Sequence, residues 1–208
     1  MAGFALLLAA TGHGQTKPVE PPALSTRDAH QNLLVVADPY LSADRYKAVF
    51  GKKSPYDRGI IAIDVYFRND NDSPIRVDLR AIRLVVARPG EQHQSLAPLS
   101  PEDVADRVLL KGKSNPSVPR RRFPFPGSGM VIGRGKSWNQ MVDRLRAVSL
   151  TSNILPAHAT THGFVFFDLN YEFGAIRHAR VYIPDLSFMT THRALFFFEI
   201  DLGGSPAS

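Results

Sequence analysis

The chain has 208 residues, 44% of them hydrophobic and 21% charged, with a net charge of +6; this is the balance of a globular protein long enough for one domain with a substantial core. Its 15 glycines and 16 prolines are too few for low-complexity disorder. The absence of cysteine excludes disulfides, thiolate zinc sites, iron–sulfur clusters and cysteine nucleophiles within these residues. In chain order, residues 2–10 (AGFALLLAA) come first, an apolar run followed by Thr11, Gly12, His13 and Gly14. Too short to span a bilayer, the run has the hydrophobic and cleavage regions of a secretory signal peptide, although no Lys or Arg precedes it. Residues 1–14 are therefore expected to be a signal peptide, and 15–32 a Pro-rich leader (Lys17-Pro18-Val19-Glu20-Pro21-Pro22). No later run reaches spanning length, which predicts a protein exported to the periplasm or beyond, without a transmembrane segment.

From residue 33 onward the pattern is mostly period two. Residues 33–37 (LLVVA) read as a strand, and residues 42–50 as a short helix opened by a Ser42 cap and stopped by Gly51. Ile61, Ile63, Val65 and Phe67 then alternate with Ala62, Asp64, Tyr66 and Arg68, as in a strand with one buried face. The alternation assigns Asp64 and Arg68 to solvent, and sets the apolar four against Phe164, Phe166 or Val181. Residues 69–74 (NDNDSP) read as a turn leading to Ile75, Val77 and Leu79, which predicts a β-hairpin. Residues 82–87, 163–169, 179–183 and 194–202 supply further strands. A second helix is signalled by Ser100-Pro101-Glu102-Asp103 ahead of Val104 and Val108. A third follows the capping-box pattern Ser137-Trp138-Asn139-Gln140, with Trp138, Met141, Val142 and Leu145 on one face.

Many short strands with helices confined to the connections predict a mainly β fold, an antiparallel immunoglobulin-like β-sandwich with two or three short helices; an elaborated barrel is the alternative. The single domain is expected over 33–202, with a basic Pro/Gly-rich insertion at about 107–146 and a disordered tail over 203–208. Four stretches, 37–51, 65–70, 163–169 and 182–186 (YIPDL), carry a resemblance. With them the chain resembles secreted bacterial immunoglobulin-like proteins of uncharacterised function over about 33–202. The resemblance implies a fold and an exported location, and brings no catalytic residues.

Motifs for chemistry are incomplete. Gly135-Lys136-Ser137 has the end of a phosphate-binding loop, but the spacing needs Gly where Met130 stands, and no buried strand precedes it. Asp70 and Asp72 begin a calcium-loop pattern, which fails at Ile75 and Ala81. His158 and His162 have the i,i+4 spacing of zinc ligands on a helix, here followed by a strand. With His178, His192 and Asp168 they make a metal site only if their loops converge. Neither G-x-S-x-G nor S-x-x-K occurs. Asp64, Asp168, Glu172 and Glu199 are the acids that cross-strand pairing would recruit for glycoside hydrolysis. No catalytic residue, metal or cofactor is assigned from these patterns; an extracytoplasmic hydrolase using the histidine-bearing loops is the alternative function.

Charge is the uneven feature. Residues 107–146 hold ten Lys or Arg and one acid, Asp143, so the rest of the chain is net acidic. Arg120, Arg121 and Arg122 precede Phe123 and Phe125, combining guanidinium forks with aromatic rings, which suits phosphates or an acidic surface. An exported chain with this strip is expected to act as a binding or scaffold module of the bacterial cell envelope. The partner would be an anionic envelope component or an acidic protein rather than dedicated nucleic acid.

Overall fold

A computed structural model describes residues 19–109 and 135–203. The expected signal peptide, the docking strip Arg120, Arg121, Arg122, Phe123 and Phe125, and the tail from 204 lie outside the described residues. In chain order the elements are β1 (Arg27–His30), β2 (Leu33–Pro39), α1 (Ala43–Phe50), β3 (Ile60–Asn69), β4 (Ile75–Val77), β5 (Arg83–Val86) and β6 (Gln94–Leu96). Then follow α2 (Pro101–Leu109), α3 (Lys136–Val148), β7 (Ile154–Leu155), β8 (Ala159–Asp168), β9 (Ala179–Ile183), β10 (Leu186–Phe188) and β11 (Phe198–Asp201). The protein is mainly β, with three antiparallel sheets ordered β1-β2-β3-β8, β10-β4-β7 and β11-β9-β5-β6, and a few short helices. Among the described residues no helix is long and apolar enough to cross a membrane.

The long central strands set the register. Ile61 lies opposite Phe167 and Ile63 opposite Val165 on one side of β3, while Ala37 lies opposite Val65 on the other. These residues share one core with Leu84, Val181, Ile183, Phe198 and Ile200 of the β11-containing sheet and with Ile75, Val77 and Leu186 of the small sheet. Ile61, Ile63, Val65 and Phe67 are wholly buried, as their alternation requires.

The opposite face of the same strands is buried too. Tyr46 and Phe50 of α1, Val104 and Val108 of α2, and Met141 and Leu145 of α3 pack on Ile60 and Ala62 of β3 and on Phe164 and Phe166 of β8. This corrects two expectations. Phe164 and Phe166 face the helices rather than Ile61 and its partners, and Asp64 is buried at 5% exposure instead of lying in solvent. The helices cover the Ile60 and Ala62 end of this face, while Tyr66 is half-buried and Arg68 exposed toward its other end.

Helix starts follow local capping chemistry in two cases and depart from it in one. Ser42 Oγ accepts the Arg45 amide at 3.4 Å, and the Ser100 hydroxyl accepts the Asp103 amide at 3.1 Å while donating to its carboxylate at 2.7 Å. The third helix starts two residues earlier than the capping-box pattern implies, with Gly135 as N-cap and no side-chain cap. Trp138 instead donates from its indole to Asp106 at 2.7 Å, fastening α3 to α2.

Two further corrections concern connectivity. The expected hairpin does not form: β3 pairs with β2 and β8, and β4 pairs with β10 and β7. Asn69 explains the divergence, because this fully buried side chain donates to the carbonyls of Ser73, Leu155 and Pro156 at 3.0–3.2 Å. It thereby draws the turn toward β7. The expected leader over 15–32 contains β1, paired with β2 from Arg27 opposite Val36 to His30 opposite Leu33. The basic insertion expected over about 107–146 begins in α2 and ends in α3, where the sequence also places helices.

The outer edge of β8 is covered rather than open. Leu99 donates its amide to Phe166 at 2.8 Å and Leu150 to Phe164 at 3.0 Å, which blunts an edge that could pair with another chain. Gly163 permits this crossing, since a Cβ there would sit 2.5 Å from the Leu150 amide nitrogen.

Candidate functional site

The residues singled out for chemistry separate in space. His158 bonds Asp72 across 2.8 Å at an exposed turn, whereas His162 bonds Asp64 across 3.2 Å on β8. His178 and His192 are both exposed, the first closing a 3-10 turn and the second in a turn held by its amide bond to the Phe188 carbonyl. Among the described residues no three His, Asp or Glu side chains are grouped to hold a metal ion. Asp70 pairs with Arg68, and Glu199 with Arg180. Asp168 accepts from Arg107, and Glu172 from Arg88. Gly135 and Lys136 simply open α3.

Most arginines near these acids are therefore neutralised. Of the cations in the basic segment, Arg107 is paired with Asp168 and Arg146 with Glu102, and Arg144 donates to the Phe50 carbonyl at 3.0 Å. Three cations without an ion pair gather elsewhere. Gly51 ends α1 with φ of 75°, turning the chain outward into Lys52 and Lys53. Pro55 then starts a 3-10 turn over Tyr56–Arg58, steadied by Ser54 Oγ accepting the Tyr56 amide at 3.1 Å. Lys52, Lys53, Ser54 and Arg58 meet Val108 and Leu109 at the end of α2 around a pocket of about 270 Å³.

Three cations and one carboxylate, Asp57, line this pocket. Among the described residues none of Lys52, Lys53 or Arg58 has an ion-pair partner. Two ammonium groups and a guanidinium around one concavity favour an anion by charge and by hydrogen-bond donors. The pocket also has a position: Leu109 is the last residue of α2, and the segment that carries Arg120, Arg121 and Arg122 follows it in sequence. The sequence reading overlooked Lys52, Lys53 and Arg58. Their signal was a Gly51 helix stop followed directly by two lysines, too common a pattern to single out.

A second polar group lies on the helix-side face of the sheet. Asp38 lies opposite Asp64 across β2 and β3. Asp38 takes both Arg45 amino groups, at 3.0 and 2.6 Å, and Arg45 also lies 3.7 Å over the Tyr40 ring. Asp64 takes the Tyr66 hydroxyl at 3.0 Å together with His162. Burial, then the neighbouring Asp64 charge, pushes the Tyr66 phenol above its ordinary value. The group is satisfied internally, so it reads as structural.

No family model matches the chain, and no curated protein is similar to it. Among the solved structures it resembles is a functionally unknown protein from Listeria monocytogenes EGD-e. That protein is 12% identical in sequence, the match covers 84% of this chain and 79% of the other, and the TM-score is 0.37.

Proposed function

We propose that the protein is an exported, non-catalytic binding or scaffold module of the bacterial cell envelope, built on an immunoglobulin-like β-sandwich, which docks an anionic envelope component through a basic surface. The sandwich reading draws support from the single core shared by the inward faces of β2, β3 and β8 and those of β5, β9 and β11. The observation that carries the function is the pocket of Lys52, Lys53 and Arg58 at the end of α2, where the basic segment begins. Unpaired cations that converge on a concavity serve binding, whereas scattered surface cations serve mainly solubility. In this reading Arg120, Arg121 and Arg122 extend the same positive field, and Phe123 and Phe125 add apolar contact.

The test is retention on anionic envelope material. Replacing Arg120, Arg121 and Arg122 by Ser should release the protein at lower salt than the parent, with a stability change within about 0.5 kcal/mol, as for surface positions. Equal retention of the two would remove the docking reading.

A further inference from the structure

A second concavity lies beyond the end of β8, formed by the turn over residues 168–172 and by β5 and β6. It measures about 220 Å³, with Arg88, Gln94, Asp168, Asn170 and Glu172 on its walls. Its apolar lining is Val86, Leu96, Leu169 and Ala175. Unlike the cationic pocket, this cleft has its charges compensated, since Asp168 accepts from Arg107 and Glu172 from Arg88. Among the described residues the side-chain amides of Gln94 and Asn170 have no hydrogen-bond partner. Each offers a donor and an acceptor.

The turn is held in a fixed shape. Asn170 and Tyr171 both have left-handed backbone, with φ of 47° and 70°. Asp168 Oδ1 accepts the Asn170 amide at 2.9 Å, and Leu169 donates to the Gly59 carbonyl at 2.9 Å. Between two cleft-lining residues the turn presents Tyr171, which is 60% exposed.

Two carboxylates each paired with an arginine, the Arg88 guanidinium, the solvent-facing amides of Gln94 and Asn170 and an apolar floor, with no surplus charge, match a neutral polyhydroxylated ring. Vicinal hydroxyls bond such planar groups in pairs, and the C–H face of a sugar lies on apolar or aromatic surface. A phosphate would meet Asp168 and Glu172, and a metal ion would find both carboxylates already engaged by arginines. We propose that this cleft is a saccharide-binding site that takes one ring of a neutral glycan. The site is independent of the cationic pocket and stands or falls separately from the anion-docking reading.

The experiment is a titration of the full chain with glucose, galactose and N-acetylglucosamine at millimolar concentration, followed by backbone amide shifts. At least one sugar should move amides at 94–96 and 168–172 saturably, and inorganic phosphate should leave them in place. Gln94→Ala, at an exposed edge-strand position, and Glu172→Ala should each weaken that sugar about fivefold, the worth of one lost hydrogen bond. Absence of shifts with all three sugars would overturn the proposal. So would affinities that stay within about twofold in both variants, or phosphate moving the cleft amides.

Discussion

Asp64 and His162 meet diagonally across neighbouring strands, the carboxylate accepting the imidazole Nδ1–H at 3.2 Å. The register places His162 opposite Tyr66, so the imidazole stacks on the phenol with centroids 4.6 Å apart and planes within 4°. The Tyr66 hydroxyl reaches back to the second oxygen of the same carboxylate. A buried anion is thus enclosed by two donors from one ring stack. The nearby Asp38 has its own cation in Arg45, which removes the like-charge conflict that two opposed carboxylates would create.

Loss of the carboxylate should cost more than loss of the imidazole. Asp64→Ala leaves the Tyr66 hydroxyl unpaired in a partly buried setting and should lower stability by about 1–3 kcal/mol. His162→Ala, at a half-exposed side chain, should cost less than about 1 kcal/mol. Urea denaturation of both variants measures the difference, and equal effects would show that Asp64 is not the anchor of the group.

Tyr46 links stability to alkaline pH. Its buried hydroxyl accepts the Ala62 amide at 2.6 Å and donates to the Ile60 carbonyl at 3.3 Å. Burial pushes this phenol above its ordinary value near 10. A raised folded-state value favours the protonated form on folding, so this contribution is complete below about pH 10 and is lost as pH rises beyond it. Tyr46→Phe should cost about 1–3 kcal/mol at neutral pH, because the Ala62 amide loses its acceptor. It should also lose less stability between neutral pH and about pH 11 than the parent. Parallel pH profiles would contradict this account of Tyr46.

Gly59 is a close-approach glycine. It has φ of 71°, and a Cβ there would stand 2.3 Å from the Tyr171 nitrogen. Gly59→Ala should therefore destabilise the chain by more than about 1 kcal/mol, combining backbone strain with a collision against the turn over 168–172. A thermal melt reads the effect. An unchanged midpoint would mean that the turn shifts freely.

The residues that were legible in sequence are those governed by local chemistry. The Ser42 and Ser100 caps, the Gly51 stop and the inward set Ile61, Ile63, Val65 and Phe67 depend on neighbours within a few positions. Phe67→Ala should accordingly cost about 3–5 kcal/mol by opening a cavity. Asp64 was misread because alternation cannot say that His162, nearly a hundred residues on, and Tyr66 close over its carboxylate. The hairpin failed for a related reason: Asn69 looked like a turn residue, and its partners at Leu155 and Pro156 lie far along the chain. The cationic pocket joins Lys52 and Arg58 to the end of α2, a tertiary relation that spacing does not encode.

The most direct measurement for the docking account is the salt dependence of binding to anionic envelope material by the parent and by a Lys52→Ser, Lys53→Ser, Arg58→Ser variant. Screening shortens to about 8 Å at 0.15 M salt, so a contact made by these cations weakens steeply as salt rises. The account predicts tight binding by the parent at low salt, loss at high salt, and release of the variant, which keeps only Arg120, Arg121 and Arg122 of these cations, at clearly lower salt than the parent, with stability unchanged within about 0.5 kcal/mol. Binding by the variant equal to the parent at every salt concentration would contradict it.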